Sequence, residues 1–260
     1  MASLKTRPKL SEYGVGVSYS YAVVEGSEGE FCGVALTPLD DLAGVRIEAA
    51  RRPAGVEDAS TLLASLNPLE KALGLAIVNA ASSYLLWGAG YAPGLRIEDA
   101  GDLLKAVPKL VEGGAVLVIG NMGPLVRSLE AAGVKEVYVV ERCAGLRCGR
   151  ALSDTAFFRL VSRVESIIAT GATLVNDTIE YIIRFRRGGT SLVLVGPTAG
   201  AHPTPLIRLG VDAVASMRVD RVSETIDVIK RGGGRWAFTR YCSQYVALPS
   251  AGCAGSPNSR

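Results

Sequence analysis

From Ala115 onward, short runs of branched aliphatic residues alternate with segments of helical periodicity, and that rhythm admits few folds. The β-rich runs are Val116 to Ile119, Glu136 to Val140, Ser166 to Ala169, Ser191 to Val195 and Ala213 to Val219. Helical stretches fall between or after them: Leu125 to Ala132, Val175 to Arg187, a short helix opened by Thr204-Pro205 and closed by Gly210, and Ser223 to Arg231. Strands joined through helices require right-handed crossovers. The expected product is a Rossmann-like, doubly wound, mostly parallel sheet in an α/β fold, covered by helices on both faces.

The preceding half has a different pattern. Val15 to Val24 alternates, with Val15, Val17, Tyr19, Tyr21 and Val23 on one face, and a turn at Gly26 to Gly29 returns the chain through Phe31 to Leu36. This predicts a hairpin. Asn67-Pro68-Leu69-Glu70 has the form of a helix start, with Asn67 as cap, Pro68 in the first turn and Glu70 reaching back to the cap N–H; the helix should run to about Leu86. Gly88, Gly90, Pro93 and Gly94 punctuate the next stretch, and Ile97 to Ala106 reads as a short helix or connector. The predicted organisation is a small α+β domain at residues 1–105, a Rossmann-like domain at 106–248 and a flexible tail at 249–260.

Composition excludes several classes. With 48% hydrophobic and 20% charged residues the bulk of the chain must fold. A net charge of +3, with the basic residues dispersed, leaves no footprint for nucleic acid; Arg184, Arg186 and Arg187 read as a helix C-terminus. The most apolar stretch, Ala72 to Trp87, is interrupted by Asn79, Ser82 and Ser83 and is too short to span a bilayer, so no membrane is expected. Met1 to Pro8 has no apolar segment behind it, and the cysteines at 32, 143, 148, 242 and 253 are odd in number without paired metal spacing. A reducing, cytoplasmic setting follows. The expected partner is a small-molecule ligand, with a homodimer left open.

In an open parallel sheet ligands lie outside the carboxyl ends of the strands, so the residues after each run carry the candidate site. Gly120-Asn121-Met122-Gly123-Pro124 follows the first run, where glycines let backbone approach a phosphate or carboxylate at a helix N-terminus. The full G-x-G-x-x-G pattern is absent. Glu141 comes about twenty residues later, where Rossmann domains place the acid that accepts ribose hydroxyls. The third run leads into Thr170-Gly171-Ala172-Thr173-Leu174-Val175-Asn176-Asp177-Thr178, in which Thr173, Asn176 or Asp177 must cap the following helix. The fourth leads into Gly196-Pro197-Thr198-Ala199-Gly200-Ala201-His202, with the chain's one histidine. His202 reads as a hydrogen-bonded structural group with acid/base chemistry as the alternative. Cys143 and Cys148 read as small hydrophobes, with a three-ligand metal site alongside His202 as the alternative. Asn79, in an apolar helix, either bridges structure or projects into the cleft between the parts.

Gly-Leu-Ala-Ile-Val-Asn-Ala at 74–80, Gly120 with Pro124, Glu141, the threonine and asparagine stretch at 170–178, Gly-Pro-Thr at 196–198, Gly210-Val-Asp and Gly232-Gly-Gly together resemble the DUF364 family, described as putative heavy-metal chelation. The resemblance covers most of the chain. It implies an enolase-N-terminal-like α+β domain before a Rossmann-like domain reminiscent of methyltransferases, with a site where they meet. It also implies a role with metal-chelating small molecules, siderophore- or pterin-like. By position it marks Asn79, Glu141, Thr170, Gly171, Thr173, Asn176, Gly196 and Thr198 as the cleft. The sequence departs from the pattern in a short lead-in before the hairpin, a Cys/Arg-rich insert after Glu141, and a loop extended to include His202.

Three functions follow from these readings. The first is a transferase, condensing or hydrolytic enzyme on a nucleotide-like or phosphorylated ligand, with Glu141 orienting a ribose or amine, Asn176 and Thr198 holding the reacting portion, and His202 in reserve. Gly120, Asn121, Gly123, Glu141, Thr170, Gly171, Thr173 and Gly196 would hold an S-adenosylmethionine-like or nucleotide cofactor, and Asn79, Asn176, Asp177 and Thr198 the substrate. The second is a non-catalytic module for a divalent metal or metal chelate, since no nucleophile and base pair stands out. The third, a nicotinamide-dependent oxidoreductase, conflicts with the incomplete glycine pattern.

Overall fold

The computed structural model describes residues 7–42, 49–111 and 114–250; Met1–Thr6, Cys253 and the tail from Ala251 lie outside them. In chain order the elements are β1 (Lys9–Val15), β2 (Tyr19–Gly26), β3 (Gly29–Leu36), α1 (Ala59–Leu63), α2 (Pro68–Ser83), β4 (Leu95–Asp99), α3 (Leu103–Ala106), β5 (Ala115–Ile119), α4 (Gly123–Ala131), β6 (Glu136–Glu141) and β7 (Leu152–Ser153). There follow α5 (Phe157–Leu160), β8 (Ser166–Thr170), α6 (Ala172–Val175), α7 (Thr178–Phe185), β9 (Ser191–Val195), α8 (Pro203–Arg208), β10 (Ala213–Val219), α9 (Val222–Lys230), α10 (Arg235–Phe238) and β11 (Cys242–Pro249). Among the described residues no helix is long and apolar enough to cross a membrane.

β1, β2 and β3 form a three-stranded antiparallel sheet. The predicted hairpin is β2–β3, paired from Tyr19 opposite Leu36 to Gly26 opposite Gly29, and Gly29 supplies the positive φ of +118° that its turn requires. The run from Val15 to Val24 does not stay one strand. β1 ends at Val15 and the chain reverses, with Gly16 N–H donating to Tyr19 O at 3.0 Å, so that Lys9–Val15 pairs as a third strand with β2. Both faces of this sheet are covered. Ala22, Val24 and Ala35 pack with Leu73, Ala76, Ile77 and Ala80 of α2, whereas Tyr19, Tyr21, Val23, Cys32 and Val34 pack with Met217, Val219, Ile226 and Ile229. The second face explains why the alternation of the strand ended in a continuous apolar run.

α2 starts as predicted, with Asn67 Oδ1 accepting from Leu69 N at 2.9 Å. Glu70 does not complete the capping box. The Asn67 N–H goes to Ser65 Oγ at 3.0 Å instead, and the Glu70 carboxylate accepts from the backbone N and the Nε of Arg51, both at 3.0 Å. α2 crosses β3 at Gly33, where a Cβ would lie 2.6 Å from Asn79 C and closer still to Ala80 N and Ala76 O. Only glycine lets backbone meet backbone there.

The large sheet has eight strands in the order β4-β11-β10-β9-β8-β5-β6-β7. The six from β7 to β10 run parallel, and β11 and β4 are antiparallel additions at the far edge. Residues alternate between two covered faces: Leu117, Ile167 and Leu192 meet Ile179 and Ile182 of α7, whereas Val116, Val118 and Val193 belong to the cluster that holds Leu125 and Leu129 of α4. The fold is therefore mixed α/β with a large, mostly parallel sheet. Ile97 is not in a helix or connector: it sits in β4, paired with Ala247. The expected tail does not start at 249, because Pro249 completes β11 opposite Leu95. Val175–Arg187 is not one helix either; α6 stops at Val175, Asp177 takes a left-handed φ of 59°, and α7 starts at Thr178.

Candidate functional site

Chain order runs outward from β5 through β6 to β7, then crosses to β8, β9 and β10 on the other side. The order reverses between β5 and β8, and the crevice at their carboxyl ends is where open α/β sheets take ligands. Three glycines let the loops there close on one another. Gly120 has φ +97°, donates to Val140 O at 2.8 Å, and would place a Cβ 2.9 Å from Thr170 Cγ2. A Cβ on Gly171 would meet Thr198 C at 2.8 Å and Ala199 N closer still. Gly196, at φ +111°, donates to Ala215 O at 2.9 Å and turns the loop after β9 back over the sheet.

Two cavities, of about 320 Å³ and 230 Å³, open along this edge. Leu36, Asn121, Met122, Leu146, Thr170 and Ala172 line both, so they are two lobes of one cleft. Leu36, at the end of β3, brings the three-stranded sheet to its wall. The larger lobe adds Gly171, Gly196, Thr198, Arg235 and Trp236. The smaller adds Gly120, Glu141, Thr173, Asn176, Asp40, Asp154 and Tyr181.

Most of the residues singled out in the sequence thus meet at this edge, although several are already engaged. Glu141 accepts Asn121 N at Oε2 and Cys143 N at Oε1, both at 2.8 Å, tying the loops after β5 and β6 together while each oxygen keeps a free lone pair. Asn121 donates to Leu146 O at 2.8 Å and Cys148 Sγ at 3.2 Å. Thr173 Oγ1 donates to Thr170 O at 2.7 Å. Asn176 is the side chain that caps α7, its Oδ1 accepting from Thr178 N at 3.2 Å and Thr178 Oγ1 at 2.7 Å. Thr198 lines the larger lobe, and its hydroxyl accepts Leu36 N at 3.0 Å.

Five candidates stand off the cleft, Cys148 among them. Asn79 is buried in the helix–sheet junction, donating to Val34 O at 2.8 Å and Thr198 O at 3.1 Å, which is the bridging role. Asp177 pairs with Lys71 at the surface. Gly123 opens α4 without lining either lobe. His202 caps α8: its Nδ1 accepts from Thr204 N at 3.4 Å, which leaves Nε2 to donate to Tyr91 O at 2.9 Å. With both ring nitrogens committed to backbone away from the cleft, His202 has no catalytic geometry.

Sequence reasoning passed over two features. Arg142 forms a two-pronged pair with Asp41, Nη1 to Oδ2 being 2.9 Å, which clamps the segment after β3 to the loop after β6. Arg235 and Trp236 follow three glycines that read as the end of α9; only the return of the chain beside Tyr19 brings them to the larger lobe.

A family model described as putative heavy-metal chelation, DUF364, matches residues 102–248, and DUF4213, with the same description, matches residues 2–82. The chain belongs to the DUF364 family. A crystal structure of a DUF364 protein of unknown function from Pyrococcus horikoshii superposes with a TM-score of 0.79 at 29% identity, covering 92% of each chain. A second, from Desulfitobacterium hafniense, gives a TM-score of 0.69 at 18% identity over 92% of this chain and 90% of its own, which speaks to the fold. The uncharacterized protein MJ0500 of Methanocaldococcus jannaschii is 26% identical over 242 residues, spanning 92% of this chain and 89% of its own length. The DUF364 description raises a metal ion, and the donor set does not fit one. Among the described residues no three His, Cys, Asp or Glu side chains converge as ligands. Cys143, Cys148 and His202 do not come together as a set, and the His202 ring is held by Tyr91 O and Thr204 N.

Proposed function

We propose that this DUF364 protein binds a small polar molecule, nucleotide-like or phosphorylated, along the two-lobed cleft. The observation that carries the reading is the position of that cleft. It lies at the reversal of strand order, its walls are the loops after β5, β6, β8 and β9, and Leu36 of the other sheet closes it. Combined volumes near 550 Å³, from lobes of about 320 and 230 Å³, suit a ligand of nucleotide size. Glu141 would receive hydroxyl or amine donors on its outward lone pairs, and Thr170 and Gly171 would line the ligand's middle. Asn176 and Thr198 border it chiefly as scaffold, given their hydrogen bonds to Thr178 and Leu36.

A thermal-shift panel of S-adenosylmethionine, NAD, AMP and pyrophosphate tests the reading. A ligand held at a hundred times its dissociation constant adds about 2.7 kcal/mol, which for a chain of this size raises the Tm by about 5–10 °C. Ala172 lines both lobes, so Ala172→Phe should abolish the shift while leaving the far-UV circular dichroism unchanged. A panel without any shift, or a shift indifferent to Ala172→Phe, would overturn the reading.

A further inference from the structure

The larger lobe contains an uncompensated cation. Arg235 lines it, and the Nε of its guanidinium is sealed from solvent without a hydrogen-bond partner. Among the described residues no Asp or Glu lines the lobe, and the groups acting on Arg235 include no carboxylate. Burial draws its pKa down, the mark of a charge taken from water without compensation. Arginine nonetheless stays protonated in proteins. Tyr19, the titratable neighbour, is pushed up to about 12 by burial and is neutral at physiological pH, so it cannot serve as counter-ion. The remaining contact is the ring of Trp236, with the Arg235 Cζ 4.4 Å from its centroid. The arginines paired above, Arg142 with Asp41 and Arg51 with Glu70, each have an acid.

A guanidinium nitrogen sealed from water and left without a partner is costly. We propose that Arg235 is the receptor for an oxyanion, a carboxylate or phosphate, carried by the ligand of this cleft; the inference rests on the small-molecule reading above. The guanidinium fork would take two oxygens of the anion. Trp236, 64% exposed beside it, offers an aromatic face to a flat ligand body. α4 begins at the same lobe without a side-chain cap, its Pro124 and Leu125 in the wall, and adds its positive end to the field. Glu141 and Asp154 line the other lobe, so the ligand enters with its anionic end toward Arg235 and its donor groups toward Glu141.

The test uses matched pairs that differ in the anion alone, AMP with adenosine and benzoate with benzamide, and pyrophosphate as the bare oxyanion. Wild type should prefer the charged member of a pair, or bind pyrophosphate, and Arg235→Gln should weaken the anion about tenfold or more while leaving the neutral member unchanged. Ligand-free Arg235→Gln should melt higher than wild type, because an unpaired charge has been removed; a lower Tm would make Arg235 structural and overturn the inference. Equal binding of charged and neutral members by wild type, or no response to any of the three anions, would also overturn it. Ala172→Phe separates the two readings. If anion binding needs Arg235 but ignores Ala172→Phe, the oxyanion site stands and the cleft reading falls; if binding needs an open cleft but not Arg235, the reverse holds.

Discussion

Asn176 holds the start of α7 through two hydrogen bonds to Thr178, and it does so after a residue of α6 and before a left-handed Asp177. Removing a cap of this kind costs about 1 kcal/mol. Asn176→Ala should therefore lower the ligand-free Tm by about 2–4 °C; an unchanged Tm would return Asn176 to the ligand. That one side chain in the threonine and asparagine stretch had to cap a helix was readable in the sequence, because a helix start needs an acceptor. Which one was not, since the choice depends on the left-handed turn at Asp177. Glu141, Thr170 and Gly171 were legible as cleft residues through their positions after strands. Asn79 was not resolved by pattern alone: a buried amide whose Nδ2 donates to Val34 O and Thr198 O looks in sequence the same as one facing a ligand. Arg235 was illegible because its meaning is an absence of partners, and partners are set by tertiary structure.

α2 carries a pH-sensitive tie at its first turn. The Arg51 guanidinium, helped by Ser65 and the Arg51 backbone N–H, holds the Glu70 carboxyl down to about 2 against burial, which works in the other direction. Because the folded value lies below the ordinary value of 4.5, ionised Glu70 stabilises the native state fully above that value, and the contribution fades as pH falls from there toward 2. Glu70→Gln should thus melt below wild type at neutral pH, and the two melting curves should converge as acid is added. A gap that stays constant over the whole acid range would mean that packing, not charge, is what Glu70 supplies. The elements themselves were legible in proportion to how well their faces were buried. β5, β8, β9 and β10 are buried on both faces and read as apolar runs. β4 is an edge strand whose alternation, Leu95 and Ile97 against Arg96 and Glu98, is confined to five residues, and β7 has two residues and offers no period.

The two sheets share their cores, and this decides how the molecule should unfold. Val175 of α6 packs into the cluster beneath α2, and Met217 and Val219 of β10 and Ile226 of α9 pack on the strands of the hairpin. Polar ties cross at the same places: Thr198 Oγ1 to Leu36 N, Asn79 to Thr198 O, Arg142 to Asp41, and Ser18 Oγ to Gly232 O at 3.2 Å. A cut at 105/106 would sever β4 from its partner β11 in the large sheet, the two sheets are joined by apolar contact, and we propose that they melt as one unit. Scanning calorimetry should give a single transition whose van't Hoff and calorimetric enthalpies agree. Thr198→Val strips the acceptor from Leu36 N–H, an unsatisfied donor worth about 1–3 kcal/mol, and should lower that one transition without splitting it. Two transitions, with Thr198→Val moving only one of them, would mean that the halves open independently. The cleft lies among these ties, so a single transition also implies walls that are already in place before ligand arrives, and binding should then leave backbone exchange at Leu36 and Thr198 protected in both states.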